Sequence, residues 1–333
     1  MRTRHLLLVL LLALLAGGCA LLGGEAEVEV VPEVTVPPVR VAGGPDAEAT
    51  LLAHVLAAML ERSGVDAEVV AFSSARDARR AIELGEVDLR PAYTGETWLE
   101  TLGRADPPGD PRESYTAVRR HDEAEGLLWL RPRFGDGIDE APANATFAFV
   151  VAGPPAVDAD LRTMSQLAAR LSEQPEARVC VDQEFGSRPD GLRAVLAAYS
   201  VRSGREYLAA DPQEAVAGVL AGDCLTGLTT ATDGAVWAAG LVPLVDDLRV
   251  FPAFVPLPQL RQDVVAARPE IRTAVAPMAA QLTTALLGRW NARVLRGEPL
   301  EQVAAEAAEL LYDRAGRRPS PDPDADPATT VGQ

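Results

Sequence analysis

Residues 85–103, GEVDLRPAYTGETWLETLG, predict a buried strand that ends at an aromatic residue and turns directly into a helix. The apolar part, VDLRPAY, ends at Tyr93, and Thr94 and Gly95 form the turn. A ring and small polar residues at the point where a strand meets a helix are better suited to contacting a ligand than to filling a core. This segment therefore predicts both a sheet and a candidate binding position.

The preceding residues alternate in the same way. VRVA from Val39 reads as a strand ending at Gly43-Gly44, and AEVVAF reads as a strand ending at Ser73-Ser74. Each is followed by a segment with apolar residues at helical spacing that stops at a glycine, Gly64 or Gly85. Strands that alternate with helices form parallel sheets, and ligands bind beyond the carboxyl ends of such strands. Ser74, Tyr93 and Thr94 are therefore expected at one sheet edge.

A second unit of the same α/β type begins near residue 144. TFAFVVA, ARVCVD and CLTGLTTATDG read as strands, and the last of them ends at Thr232 and Asp233. The helix in LRTMSQLAARLSE has Thr163 or Ser165 as candidate N-cap. Two long helical stretches follow, at about residues 271–295 and 299–315.

Two extended crossings, near residues 144–150 and 243–252, would join two sheets into a bilobed protein with a cleft between the strand ends. We expect residues 39–146 plus 250–315 to form lobe I. Residues 147–249 are expected to form lobe II.

The first residues resemble an export signal. Arg2 and Arg4 precede an apolar run from Leu6 to Ala16, and Cys19 follows two glycines. We expect a signal peptide over 1–18, lipidation of Cys19 and a tether to the outer leaflet of the cell membrane. The alternative is a plain secreted protein in which Cys19 is incidental.

Both ends of the mature chain are predicted to lie outside the fold. Residues 19–38 read as an acidic, proline-containing linker, and residues 316–333 read as a disordered tail.

The composition narrows the function classes. A formal net charge of −17 disfavours nucleic acid and anionic lipid headgroups, and it mildly favours cationic ligands. His5, His54 and His121 are scattered, so no metal site is expected. Motifs for triads, zinc proteases and nucleotide loops are absent, so we expect neither an enzyme nor a cofactor. Cys180 and Cys224 could form a disulfide or remain two buried thiols.

Four stretches together resemble one protein family. GEVDLRPAYTG is similar to a G-x-[IV]-D-L-x-P-x-Y-T-G-T segment, and EFGSRPDG is similar to E-F-x-x-R-x-D-G. ATFAFVV, and TATDG followed by DDLRVFPAF, agree in order and spacing. The chain resembles the substrate-binding proteins that serve ABC importers of glycine betaine, carnitine and choline. The likeness runs from about residue 39 to 315.

The resemblance implies a bilobed, type II periplasmic-binding-protein fold that captures a quaternary-ammonium osmolyte and delivers it to an ABC permease. In such proteins aromatic rings surround the ammonium group, and an arginine binds a carboxylate. By position, the aromatic set implied here is Tyr93, Phe147 and Phe254, and the arginine is Arg188. Thr232 and Asp233 match the polar pair after a lobe II strand. A monomer is expected.

The sequence departs from the family pattern at several positions. Phe147 and Phe254 stand where tyrosines are usual, Glu96 replaces the last threonine of the Y-T-G-T segment, and a lysine found in some relatives after the first strand is absent. An inward-facing Glu96 would favour a cation such as choline; otherwise it is a solvated helix-start carboxylate. There are two alternatives to osmolyte transport. A protein of the same fold could bind another cationic or zwitterionic solute, or it could sense a ligand without transporting it.

Structural roles compete with ligand contact at these positions. Tyr93 could pack under the following helix, and Phe147 could belong to the core, since Phe149 shares its strand face. Arg188 could pair with Asp190, and Asp233 could be a turn residue.

Overall fold

A computed structural model describes residues 36–135, 138–140, 142–153, 161–189, 191–201 and 207–317. Within them the chain forms two mixed five-stranded sheets with flanking helices, which confirms the predicted α/β class. Residues 1–35 and 318–333 lie outside the described part, and with them the predicted signal peptide, Cys19, most of the linker and nearly all of the tail.

The first sheet is built from both ends of the described chain. Its strands, in spatial order, are β2 (Ala67–Ala71), β1 (Val39–Gly43), β3 (Leu89–Tyr93), β10 (Pro256–Arg261) and β4 (Leu127–Trp129). β1 pairs in parallel with β2 and β3, as the alternating pattern predicts. β10 is antiparallel to both β3 and β4, so this long-range strand lies between two strands of the N-terminal segment.

The second sheet repeats this arrangement. Its strands, in spatial order, are β7 (Tyr207–Ala209), β6 (Val179–Val181), β8 (Thr226–Thr230), β5 (Phe147–Val151) and β9 (Val242–Pro243). β6 is parallel to β7 and β8, whereas β5 is antiparallel to β8 and pairs with β9. Each sheet therefore contains one strand, β10 or β5, that runs antiparallel to its neighbours, which the strand–helix alternation did not predict.

The N-terminal segment contains three longer helices with side-chain N-caps and one short helix without one. They are α1 (Ala47–Arg62), α2 (Ala75–Leu84), the short α3 (Thr94–Glu96), continued by a π-helical turn over Thr97–Thr101, and α4 (Pro111–Ala124). Asp46 caps α1 by accepting a hydrogen bond from the Ala49 amide, and Ser74 caps α2 through the Asp77 amide. α2 ends at Gly85, whose positive φ of 74° favours glycine.

The remaining helices are α5 (Met164–Glu173), α6 (Gln183–Ser187), α7 (Leu192–Ala198), α8 (Pro212–Ala221), α9 (Gly234–Ala238), α10 (Gln262–Ala267), α11 (Pro269–Gln281), α12 (Thr284–Leu295) and α13 (Leu300–Arg317). Thr163 is the N-cap of α5, and Gln166 completes a capping box. Ser165 is therefore not the cap.

One helix prediction is wrong. The stretch predicted as continuous over about 271–295 is divided into α11 and α12 at Leu282 and Thr283, both of which have extended backbone. The Thr283 side chain accepts a hydrogen bond from the Leu286 amide and so starts a new helix. α13 ends at Arg317, two residues inside the segment predicted as a tail.

The two sheets are joined by a pair of hydrogen-bonded crossings. The Ala145 amide donates to the Phe254 carbonyl at 2.9 Å, and the Thr146 hydroxyl donates to the Pro252 carbonyl at 2.5 Å. The Ala231 amide, just beyond β8, donates to the Thr146 carbonyl. The first crossing begins where the sequence predicts it, near residue 144, whereas the contacts of the second lie at residues 252–254, at the end of the predicted range 243–252. The residue bounds of the two lobes stay a prediction.

Each sheet has its own hydrophobic core. Around the first sheet, buried side chains of α1, β3, β10, α11 and α13 form one continuous cluster. On the second sheet, α5, α6 and α7 cover one face and α8 and α9 cover the other. Cys180 and Cys224 form a disulfide within the second unit, with 5.8 Å between their Cα atoms. The sequence allowed either a disulfide or two buried thiols, and the structure contains the disulfide.

A buried charged network supports the first sheet. Asp122 is fully buried and accepts hydrogen bonds from Arg79 at 2.7 and 2.9 Å, from the Trp129 indole at 2.6 Å and from Gln259 at 2.5 Å. Burial alone would raise the pKa of Asp122, but the hydrogen bonds and charge of Arg79 hold this pKa below its usual range. The network links α2, α4, β4 and β10.

Replacing Asp122 by Asn should destabilise the fold by about 3–5 kcal/mol, because Arg79 would remain buried without its carboxylate partner. In the wild type, the contribution of Asp122 is complete above the pKa of an unfolded Asp, about 4, and is lost as the pH falls through the lower folded pKa. Urea unfolding at neutral and acidic pH measures both effects.

Glu123→Gln is the matched control for this prediction. Glu123 pairs with Arg119 on the exposed side of the same helix, so little change is expected. Equal unfolding midpoints for the two variants would contradict the role of Asp122.

Candidate functional site

The ends of three neighbouring strands lie at one edge of the first sheet. Because β1, β2 and β3 are parallel, Gly44, Ser74 and Tyr93 all follow the carboxyl ends of their strands. β4 runs in the same direction, since it is also antiparallel to β10. The returning crossing enters the sheet at β10, between β3 and β4, so strand ends of this edge lie on both sides of it.

Tyr93 closes β3 and is held through its hydroxyl. The hydroxyl donates to Glu48 Oε1 at 2.9 Å, and the ring packs in part against the first core. Burial and the neighbouring Glu48 raise the pKa of Tyr93 well above its usual value, so the phenol is neutral and acts as a donor. The competing role in packing is therefore partly observed for this residue.

Glu48 connects Tyr93 to the second sheet. It lies in the first turn of α1, is partly buried, and accepts from Asn291 Nδ2 at 2.6 Å and from the Thr232 side chain. Asn291, in α12, also donates to the Thr232 carbonyl at 2.8 Å. Burial raises the pKa of Glu48, while the hydrogen bonds from Thr232, Tyr93 and Asn291 oppose this rise.

Thr94, Gly95 and Phe254 form a tightly packed group beside Tyr93. The Thr94 hydroxyl donates to the Ala253 carbonyl at 3.2 Å and accepts from the Val255 amide at 3.1 Å, and the residue is fully buried. Thr94 thus anchors one crossing to α3. The Phe254 ring covers Gly95, where an added Cβ would lie 2.7 Å from the ring.

Aromatic rings also line the facing edge of the second sheet. Phe147 is 39% exposed, and its ring centroid lies 5.8 Å from that of Phe185 and 6.0 Å from that of Phe251. Phe149, two residues along the same strand, is buried, so the core role expected for this face applies to Phe149. The Arg188 guanidinium lies over the Phe185 ring at 5.3 Å. Asp190, its suggested partner, lies outside the described residues.

The other predicted polar residues all have local partners. Ser74 hydrogen-bonds Asp77 as the cap of α2, and Asp233 caps α9 through the Ala235 amide at 2.8 Å while accepting from Thr229 at 2.6 Å. Glu96 faces Arg90 at 3.4 Å, and burial raises the pKa of Glu96. Glu96 is thus neither a fully solvated carboxylate nor unpaired. Whether any of these residues contacts a ligand stays a prediction.

A cavity of about 580 Å³ lies between the two units. Its walls include residues 109–112, Phe134, Gly135 and Ile138 of the first unit, and residues 244–247, Arg249 and Phe251 of the second. All nine predicted ligand-binding residues are described, and of these only Phe147 lines the cavity. Much of the cavity wall comes from residues near β4 and from the segment after β9. Tyr93, which ends β3, and Thr232, which follows β8, lie on the other side of the crossings.

Sequence reasoning missed four residues of this region: Glu48, Phe185, Phe251 and Asn291. Phe185 and Phe251 could have been found, because Phe185 is the phenylalanine of the quoted EFGSRPDG and Phe251 is the first phenylalanine of the quoted DDLRVFPAF. Glu48 had a weaker signal, since an acidic residue in the first turn of a helix is commonly explained by the helix dipole. Asn291 had none, because only the packing of α12 on α9 brings it to the site.

In the residue ranges that the structure describes, no helix combines the length and low polarity needed to cross a membrane. In the same ranges, no three His, Cys, Asp or Glu side chains are grouped so that they could hold a metal ion.

Comparison with known proteins identifies the family. The model of the substrate-binding domain of ABC-type glycine betaine transport systems, OpuAC, matches residues 37–309. The chain belongs to this family. The resemblance inferred from the four motifs is confirmed, and so is the periplasmic-binding-protein fold. OpuAC proteins are substrate-binding components of transporters, which confirms that the protein is not an enzyme.

Individual OpuAC relatives cover most of the chain. It is 31% identical to a glycine-betaine-binding protein of Pseudomonas aeruginosa over 284 residues, 80% of this chain and 86% of the relative. It is 30% identical to the glycine betaine-binding protein YehZ of Escherichia coli over 306 residues, 89% of this chain and 96% of the relative. The structure of apo YehZ matches with a TM-score of 0.73 at 27% identity, over 84% of this chain and 99% of that one.

Gly95→Ala should destabilise the protein by about 1–3 kcal/mol, because the new methyl group would overlap the Phe254 ring and force it to move. Urea unfolding measures the loss. Gly316→Ala, in α13 with open space around the new methyl group, should keep or raise stability. If Gly95→Ala unfolds at the wild-type midpoint, Phe254 does not pack as described.

Proposed function

We propose that the protein captures a small quaternary-ammonium osmolyte of the glycine betaine, choline or carnitine type in the cleft between its two sheets. The observation that carries this proposal is the presence of ring faces on both sides of the crossings. Tyr93 and Phe254 come from the first unit, and Phe147, packed beside Phe185, comes from the second. The names of its OpuAC relatives support the same ligand class.

Ring faces suit this ligand for a physical reason. A tetraalkylammonium group has no N–H to donate, so it is recognised by π-electron surfaces and by carboxylates in a site with little water. Each desolvated cation–π contact contributes about 0.5–2 kcal/mol. Three rings would supply a few kcal/mol, whereas micromolar affinity needs about −8 kcal/mol. Shape, release of water and a charged partner must supply the remainder.

Arg188 is the proposed partner for a ligand carboxylate. Its guanidinium lies over the Phe185 ring, and Phe185 contacts the exposed Phe147, so the charge is close to the proposed ring surface. A guanidinium can bind a carboxylate through two parallel hydrogen bonds. Glycine betaine and carnitine carry such a group, whereas choline does not.

The proposed cellular role follows from the family and the N-terminal pattern. As a substrate-binding protein of an ABC importer, the protein acts outside the cytoplasm as a monomer and delivers its osmolyte to the permease. We propose that Cys19 is lipidated after removal of residues 1–18 and holds the protein at the membrane through the acidic linker. Metabolic labelling with a fatty acid, compared between wild type and Cys19→Ala, tests the anchor.

Tyr93→Leu should weaken binding of glycine betaine and choline about tenfold or more, because the side chain remains apolar but loses its ring. Tyr93→Phe is the matched control, since it keeps the ring and loses only the hydroxyl. Isothermal titration calorimetry with both ligands measures the effect. Unchanged affinity of Tyr93→Leu would remove this residue from the site. If neither ligand nor carnitine binds the wild type while another solute does, the quaternary-amine proposal fails.

Arg188→Ala should reduce affinity for glycine betaine and carnitine about tenfold or more, since a charged hydrogen bond would be lost, and should affect choline less. Arg193→Ala, an exposed arginine in the neighbouring α7, controls for the change in net charge. The same titrations measure this. Equal losses for carboxylated ligands and choline would contradict the role of Arg188.

A further inference from the structure

Glu48 is held entirely by neutral donors. Its carboxylate accepts from the Tyr93 hydroxyl at 2.9 Å, from the Asn291 amide at 2.6 Å and from the Thr232 side chain. These partners come from β3, α12 and the segment after β8, so the carboxylate lies where the two units meet. Glu48 is half-buried and lies beside the Tyr93 ring, which is the proposed contact for the ammonium group.

Two other carboxylates near this edge have cationic partners. Glu96 faces Arg90 at 3.4 Å, and Asp110 faces Arg249 at 2.5 Å. In the described ranges, no arginine or histidine forms an ion pair with Glu48. The nearby Asp46 adds to the negative potential around Glu48, because its charge repels the Glu48 carboxylate. In its ionised form, Glu48 therefore carries a negative charge that no described side chain neutralises in an ion pair.

An uncompensated carboxylate at this position has a cost that a cation can offset. Removing a carboxylate from water disfavours its charged form, and this is the main reason that the pKa of Glu48 is raised. A positive group placed beside it would favour the ionised form by direct attraction. The Tyr93 ring, whose hydroxyl contacts Glu48, is also the proposed surface for an ammonium group. Ring and carboxylate can thus act on one positive ligand group.

We infer that Glu48 supplies the counter-charge for the ligand's ammonium group, so that the site distinguishes quaternary amines by their net charge. This inference rests on the proposed function. Choline carries one positive charge, and Glu48 attracts it without opposition. Glycine betaine carries a carboxylate as well, which Glu48 repels, so part of the attraction is cancelled. Glu48 therefore favours a net cation over a zwitterion, and Arg188 favours the zwitterion.

The test is calorimetric titration of choline and of glycine betaine into the wild type, Glu48→Gln and Glu48→Asp. Glu48→Gln should lower choline affinity about tenfold or more. It should lower glycine betaine affinity less, because the Glu48 carboxylate attracts the ammonium group of that ligand but repels its carboxylate. Glu48→Asp keeps the charge and should retain the wild-type ratio of the two affinities. Melting temperatures check that each variant is folded.

Glu48→Gln should fold, because exchanging an uncompensated carboxylate for a neutral amide of the same shape removes a desolvation cost. If it does not fold, Glu48→Ala replaces it in the same titrations. Asp77→Asn is the matched control. Asp77 lies in the first turn of α2 at the same sheet edge, is exposed and hydrogen-bonds Ser74. Its removal should leave the affinity ratio unchanged.

The outcomes separate the inference from the proposed function. A selective loss of choline affinity in Glu48→Gln, with the ratio retained in Glu48→Asp, supports the inference. Equal losses for both ligands, or no loss, overturn it and leave the proposed function standing, since the wild type still binds. If the wild type binds neither choline nor glycine betaine, the proposed function fails and the inference fails with it.

Discussion

The hydrogen bonds between the two crossings are the constraint on which the rest of the structure depends. The Ala145 amide and the Thr146 hydroxyl bind carbonyls of the returning segment, and that segment continues as β10 between β3 and β4. Because β10 pairs with β3 so that Pro256 lies opposite Tyr93, the returning chain passes directly beside the end of β3. Phe254 is thereby placed over Gly95, and Phe147 starts the second sheet one residue after Thr146.

Electrostatic balance at the site follows from this placement. The first unit brings a ring and a carboxylate together, since the Tyr93 hydroxyl donates to Glu48, which forms no ion pair within the described residues. The second brings an arginine and rings together, since Arg188 lies over Phe185. A zwitterionic amine has a positive end suited to the first set and a negative end suited to the second. The two phenylalanines that replace family tyrosines keep their ring faces, so the loss of their hydroxyls affects hydrogen bonding more than cation–π attraction.

Much of the fold could be predicted because its signals are local. Short segments of the chain determine the strand ending at Tyr93 and the helix cap at Thr163, and the structure contains both. The break at Leu282 and Thr283 was missed because the apolar spacing continues across it, while the deciding interaction is the cap made by Thr283. At the site, the position of Tyr93 at a strand end indicated that residue, and the family resemblance indicated Phe147. The sequence could not indicate that Thr94 anchors a crossing or that Glu48 meets Asn291, because those contacts join residues far apart in the chain.

The packing of α12 against α9 positions two partners of Glu48, the carboxylate of the proposed site. An added Cβ at Gly234 of α9 would lie 2.8 Å from the Asn291 backbone, and one at Gly288 would overlap the Trp237 indole. The two helices are therefore in close backbone contact, although α12 belongs to the segment assigned from sequence to lobe I. Asn291 sits in this contact and binds both Glu48 and the Thr232 carbonyl. If the two sheets moved while α9 and α12 stayed together, Glu48 would remain beside Thr232. The main change would be in the distance between Tyr93 and Phe147. Charge selection and ring closure would then be separable steps of binding.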